Sequence, residues 1–415
     1  MIWVLEAWGS HIPKYAGLPL YWTVQAIAWS AFAWLLRSKN DSPLALRGLL
    51  VWAVAFRIAA SAAAPLMEND YARHLWDGWQ TWTTGTPYNK VPVTAFRDDS
   101  IPEALQNVLS EINYPDVPTI YAPVLQGWCA LAAAIRPGAL WPLKSLLVLA
   151  DLLVIACLWR CVSPRSAVLY GWCPLVIHEV SANAHADILA LAPLVFGWAA
   201  LRSDRPIPGG LLLGMAAATK LTAGLAVPFL IPLRCRKAWA GAMVAAVVPY
   251  LPFWIQGSTA EWEGIRRFAD SWEFNSSVVG LLQVAASPEL ARQIAGLAAA
   301  GTLAGLAWRW RSTPIHQRRI EWVFATVLIF SAVVNPWYLI WLAPFSACSA
   351  DRRSTGIVWV AMGAVSLSYA TAMNLGLPGT EPFAHPVWVR PVEYGMVLLA
   401  AVWIAVRRGS EPKRS

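Results

Sequence analysis

From Glu68 to Gly78 the chain sets three carboxylates (Glu68, Asp70, Asp77), Arg73 and His74 within eleven residues, directly after an apolar run long enough to cross a bilayer. A carboxylate at the mouth of a span can act as a general base on a hydroxyl. A second acid there can orient it, bind a metal or hold the substrate. Asp70, Arg73 and His74 share one helical face by their spacing of three and four, and Asp77 continues it. Acid-x-acid is a weak motif by itself, and interfacial anchoring is the plain alternative for Glu68 and Asp70. A solvated ion-pair face is the plain alternative for Arg73 and Asp77. Trp76, Trp79 and Trp82 recur every three residues, a pattern that more often marks interfacial packing than sugar stacking.

Other polar residues stand alone in apolar surroundings. Lys220 sits midway through a 26-residue apolar run. A lone ammonium there is costly unless it meets an anion, and a phosphate is the natural candidate, with snorkelling to the interface as the alternative. Arg57 lies inside a span and must either pair within the bundle or bind an anionic ligand. Arg266 and Arg267 fall on an outer loop, against the positive-inside bias, and favour an anionic partner. Glu179, His185 and Asp187 occupy one turn. His-x-Asp is not a metal motif by itself, so contact with a polar ligand is the better reading. Lys144 and Asp151 are placed to pair with neighbours. Gly-x-Ser-x-Gly, a P-loop Gly-Lys-Ser/Thr and Cys-x-x-Cys are all missing, which removes the support for hydrolase, ATPase and redox chemistry.

The elements that must position these groups are read from composition. The 415 residues are 57% hydrophobic and 13% charged, with mean hydropathy +0.47. Apolar runs recur along the whole length, so the expected fold is an all-α polytopic membrane protein, one membrane domain over 1–415. The net charge of +8 comes from basic residues at the ends of apolar runs rather than from a stripe, which argues against a nucleic-acid partner. No cleavable signal peptide is expected. Six scattered cysteines read as buried, inert thiols.

Charge at the loops then gives a topology of about thirteen spans, several short and paired, with the N-terminus outside and the C-terminus cytoplasmic. A large outer loop over 67–138 carries surface helices, including one from Tyr71 to Gly85 and an apolar one over 121–136. A second outer loop covers 257–289, and 407–415 is a basic cytoplasmic tail. Arg165 and Arg202, Arg205 and Arg234, and Arg318 and Arg352 bracket hairpins whose arms are too short to span fully. Their turns, at 179–187, at Lys220 and at Asn335-Pro336-Trp337-Tyr338, should therefore sink below the outer surface. Polar backbone at that depth is tolerated where it lines a water-filled cavity, on the side that carries Glu68 and Asp70.

These residues resemble the GT-C superfamily of polyprenyl-phosphate-sugar-dependent glycosyltransferases, bacterial mannosyltransferase-like members in particular. The likeness is carried by Asp70-x-x-Arg73-x-Leu75-Trp76-Asp77-Gly78, Gly85-Thr86-Pro87-Tyr88, Pro118-Thr119-Ile120-Tyr121-Ala122-Pro123, Trp172 to Glu179, His185-Ala186-Asp187, Lys220-Leu221-Thr222 and Asn335 to Tyr338. Departures are Ala72 and His74 where an aromatic is usual, Tyr114 where His is common, and Ala186 where Asn is common. The resemblance implies a lipid-linked sugar donor and inverting transfer, mannose for preference, to a hydroxyl of a lipid, glycan or protein on the non-cytoplasmic side. Asp70 matches the catalytic Asp, with Glu68 beside it. Lys220, Arg266, Arg267 and Arg57 are the candidates for the donor phosphate. Arg73, His74, Asp77, Tyr121, Glu179, His185, Asp187, Asn335, Trp337 and Tyr338 are left for substrate contacts. No cofactor is required, and a divalent Mg or Mn ion is compatible with the acids. A transporter or flippase for a lipid-linked or anionic solute is the rival, because broken helices and a midplane Lys220 suit it too.

Overall fold

The computed structural model describes residues 14–38, 41–259 and 261–409. Readings that fall on 1–13, 39–40, 260 and 410–415 (the N-terminal stretch, part of the first basic loop, one position of the second outer loop, the end of the tail) lie outside the described residues. The described chain is helical throughout. Its one sheet-like feature is an isolated parallel bridge between Phe274 and Val333. The expectation of an all-α membrane protein holds: among the described residues five helices are long and apolar enough to cross a bilayer, namely Pro43–Ser61, Leu140–Cys161, Arg236–Ile255, Pro288–Trp310 and Val389–Arg407. Shorter apolar helices of 10–17 residues pack among them.

Helix starts are written locally. Ser42-Pro43, Ser163-Pro164 and Ser287-Pro288 each open a helix. In each the serine hydroxyl accepts from the backbone N–H three residues on, at 3.3, 3.0 and 3.3 Å. Proline at the first helical position lacks the N–H that would otherwise go unpaired, and its φ suits the helix.

The short arms matter for the site. Ile188–Arg202 and Pro206–Thr219 have 15 and 14 residues. At 1.5 Å per residue these reach only about 21–23 Å, short of the ~30 Å hydrocarbon core. The turns at their far ends are therefore held inside the protein. Pro206–Thr219 lies hard against Arg236–Val247. A Cβ at Gly210 would come within 2.0 Å of the Ala238 carbonyl oxygen, and one at Gly214 within 2.1 Å of that of Ala242. Only glycine at both positions lets the two backbones approach this closely, which is how helices associate where lipid is as apolar as leucine.

Two intramembrane charges find partners inside the bundle. Arg57 Nε donates to Asp151 Oδ2 at 2.6 Å, and both side chains are fully buried. Arg57 also donates to the carbonyls of Ala53 and Gly171, and the Tyr170 hydroxyl completes the shell of Asp151 at 2.6 Å. Lys144 donates to the carbonyls of Ser61 and Ala63. All six cysteines are free; Cys129 and Cys173 are buried as expected, but Cys157, Cys235 and Cys348 are half-buried and Cys161 is exposed.

Candidate active site

The Asp70–Thr84 helix begins at Asp70 and ends where Gly85 adopts φ +80°, as Gly85-Thr86-Pro87 predicts. It seats on the Pro123–Ile135 helix through Gly78, where a Cβ would come within 2.4 Å of the Cys129 carbonyl oxygen. The start of the helix is tied to residues 111–113. Asn113 Nδ2 donates to Glu68 Oε1 at 3.1 Å and to Asn69 Oδ1 at 2.6 Å, and Asn69 Nδ2 donates to the Glu111 carbonyl at 2.6 Å.

Above this helix lies a cavity of about 790 Å³. Its wall includes Glu68, Asp70, Arg73, His74, Tyr121, His185, Asp187, Lys220, Asn335, Trp337 and Tyr338. Residues from the 67–138 segment and from three later turns thus meet in one space. A distorted backbone delivers the second group. Residues Ile177–Ala182 form a π-helix, and Ala184 follows at φ +62°, a conformation that costs a residue with a Cβ. This widened turn directs His185 and Asp187 inward; π turns recur at functional sites for that reason.

Asp187 and Lys220 form one unit. Lys220 Nζ donates to both Asp187 carboxylate oxygens at 2.7 Å, and Trp341 Nε1 donates to Asp187 Oδ1 at 2.7 Å. The ammonium also lies 4.6 Å from the Tyr338 ring centroid. An ammonium has three N–H donors, so one remains for a ligand. His185 is stacked on Trp337 with centroids 3.9 Å apart, and its Nδ1 is 2.9 Å from Glu179 Oε2. Glu179 in turn accepts from the Tyr369 hydroxyl at 2.9 Å.

Asp70, half-buried at the cavity wall, has its carboxyl raised above the ordinary value by burial. His185 and Lys220 oppose that, Asp187 adds to it, and Arg73 opposes it. Burial, helped by His185, Lys220 and Arg73, pushes the His74 imidazole down to about 3. His74 is therefore neutral at ordinary pH, packed 4.5 Å from the Tyr121 ring.

Several expected contacts are corrected. Arg57 does not reach the cavity: its side chain is fully buried in the bundle beside Asp151 and is not part of the cavity wall. Arg266 and Arg267 are exposed on the Trp262–Ser271 helix, pointing away from the cavity, and Arg267 pairs with Glu263 at 3.1 Å. Asp77 lies behind the wall, where it accepts from Arg73 Nε at 3.0 Å, Thr119 Oγ1 at 2.5 Å and Gln126 Nε2 at 3.3 Å. It holds Arg73 rather than a substrate. Arg73 Nη2 has no partner among the described residues, so Arg73 is the second cation of the cavity, in the place expected of Arg266 and Arg267. Glu179 likewise stands behind His185. Sequence reasoning missed Tyr369, Trp341 and Gln126, which sit in apolar runs with nothing in their spacing to mark them. No group of three or more His, Cys, Asp or Glu among the described residues is arranged to hold a metal ion.

Two family models match the chain. That of the alpha-(1->6)-mannopyranosyltransferase N-terminal domain matches residues 4–236, more than half of the length. That of glycosyltransferase family 87 matches residues 143–336. A search of curated proteins found no match.

Proposed function

The chain belongs to the alpha-(1->6)-mannopyranosyltransferase family, and from that premise we propose that it moves a mannosyl unit from a polyprenyl-phosphate carrier to an acceptor hydroxyl. The acceptor is a lipid, a glycan or a protein, the anomeric centre inverts, and the reaction faces the non-cytoplasmic side. A glycosyltransferase with an all-α membrane fold needs such a site where a lipid-borne sugar and a polar acceptor can meet. The observation that carries the reading is the meeting of Asp70 with Lys220 and Arg73 in one cavity.

Asp70 takes the proton of the acceptor hydroxyl as its oxygen attacks the anomeric carbon. The bond from that carbon to the phosphate oxygen breaks, and its electron pair leaves on the phosphate. A phosphate is already a competent leaving group, so no acid is required at that oxygen. The free N–H of Lys220 and Nη2 of Arg73 stabilise the charge that develops there. Glu68 orients the start of the helix that carries Asp70. His185, Asp187, Tyr121, Asn335, Trp337 and Tyr338 contact the sugar and the acceptor. With two cations in place, a divalent metal is not needed for this step. The transporter reading loses its support with membership of a glycosyltransferase family.

The test is to incubate purified protein with radiolabelled polyprenyl-phosphate mannose and a cell lipid or glycan extract, then identify labelled products. A mannosylated acceptor with inverted linkage is expected. Movement of the donor across vesicles without any covalent product would overturn the reading.

A further inference from the structure

The imidazole of His185 is held on a face and on an edge. Its ring lies flat on Trp337, with an interplanar angle of 14°. At its edge, Nδ1 stands 2.9 Å from Glu179 Oε2, as a charge contact rather than an in-line hydrogen bond. The backbone closes the same loop, since the His185 N–H donates to the Glu179 carbonyl at 2.9 Å. Glu179 is itself fixed inside the protein. It is fully buried, and it accepts from the Tyr369 hydroxyl at 2.9 Å and from Asn183 Nδ2 at 3.4 Å. What remains is Nε2 of His185, which is buried, has no partner among the described residues and belongs to a side chain of the cavity wall.

Which nitrogen carries the proton follows from the charge beside the ring. A carboxylate oxygen at 2.9 Å attracts a proton on Nδ1 and repels a lone pair there, so the proton rests on Nδ1 and Nε2 is a bare acceptor. The other charged or titratable groups of this end of the cavity are Asp70, Arg73, His74, Asp187 and Lys220. None of them is hydrogen-bonded to either nitrogen of His185. Lys220 and Arg73 can only donate. Asp187 is turned to Lys220 and Trp341, and Asp70 is the base of the proposed reaction. The acceptor left for a hydroxyl hydrogen is Nε2.

We propose that Glu179 is a positioning residue: it holds the proton on Nδ1 of His185, so that Nε2 accepts from one hydroxyl of the donor's mannosyl ring. This rests on the proposed reaction, which places Lys220 on the donor phosphate. Lys220 is bound at 2.7 Å to Asp187, two positions from His185, so the hydroxyls nearest His185 are those of the sugar that phosphate carries. The contact selects a sugar with a hydroxyl at that position, because a site shaped to receive an O–H rejects an analogue that lacks it.

Two measurements test it. In the first, Kd is measured for undecaprenyl-phosphate mannose and for its 2-, 3-, 4- and 6-deoxyfluoro analogues, in wild type, His185→Phe and Glu179→Gln. Fluorine keeps an acceptor and removes the donor, and phenylalanine keeps the stack on Trp337 and removes Nε2. At one ring position fluorination should weaken binding to wild type by about fivefold or more, and to His185→Phe by less than about twofold. Glu179→Gln should show a smaller penalty than wild type at the same position, because the charge that holds the proton is gone. Equal penalties in wild type and His185→Phe at every position would overturn the hydroxyl contact. A full penalty in Glu179→Gln would overturn the role of Glu179. In the second, wild-type protein with ring-15N histidine is examined by NMR without substrate, the His185 signals being those that vanish in His185→Phe. Nδ1 should carry the proton and Nε2 should be bare. The reverse tautomer would overturn the assignment whatever the folding of Glu179→Gln. If wild type binds and transfers from none of these donors, the proposed reaction fails and takes the hydroxyl contact with it; the tautomer judges Glu179 separately.

Discussion

At the scale of single residues, the same ionisable types do two kinds of work, divided by what they touch. Arg57 and Asp151 satisfy each other inside the bundle. Breaking that pair by Arg57→Met leaves a buried carboxylate, which costs about 3–5 kcal/mol. Thermal unfolding in detergent should show a large fall for Arg57→Met and recovery of most of it in the Arg57→Met/Asp151→Leu double variant. No recovery would contradict the structural role. Asp70, by contrast, must be ionised to act as a base. Its carboxyl is raised by burial, so kcat/KM should fall as pH drops through a value above the ordinary carboxylate range. Asp187→Asn removes a like charge and frees Lys220 to act on Asp70, and both changes lower that pKa. The acid limb should therefore move to lower pH, and a shift upward would contradict the assignment. Lys220 stood out as a candidate because a lone charge in an apolar run needs a reason, and Asp70 because it belongs to a dense cluster of charges directly after an apolar run. Asp187 as the partner of Lys220 was not, because the two are 33 positions apart and only the fold brings them within 2.7 Å. Arg57 was legible as needing a partner, but two solutions were open and only packing decides between them.

At the scale of elements, close backbone approach sets the geometry. Gly78 is the seat of the helix that carries Asp70. Gly78→Val would push a side chain into the Cys129 carbonyl, displacing that helix. Transfer should drop by at least about tenfold and the unfolding temperature should fall. Gly127→Ala on the facing helix meets nothing within 4 Å and should change neither. Equal behaviour of the two variants would show that the seat is not tight. The helix itself and its stop at Gly85 were readable from local signals, since Gly-Thr-Pro ends a helix wherever it occurs. The π turn before His185 was not. Its wider winding answers to packing against Tyr369 and Trp337, contacts with residues more than 150 positions away that no local pattern encodes.

At the scale of the whole molecule, the apolar rhythm was enough for an all-α membrane fold. Arm lengths were enough to expect three polar turns to line one cavity, and residues of all three do. What the rhythm could not give was the direction in which each loop side chain points. Arg266 and Arg267 lie on the right loop but the wrong face of its helix, so replacing both by Ala should leave transfer within twofold. A tenfold loss would return them to the donor site. Arg73→Ala should instead weaken donor binding by about tenfold or more, as expected for a charge-assisted contact in a cavity. The central claim is that Asp70 removes the acceptor proton in the space it shares with Lys220. Its most direct test is the single-turnover rate of mannosyl transfer by Asp70→Asn, measured beside the Kd for undecaprenyl-phosphate mannose. The rate should fall by about 10²-fold or more, the range for loss of a positioned base, with Kd within a few-fold of wild type. A rate within a few-fold of wild type, at matched donor occupancy, would contradict the account.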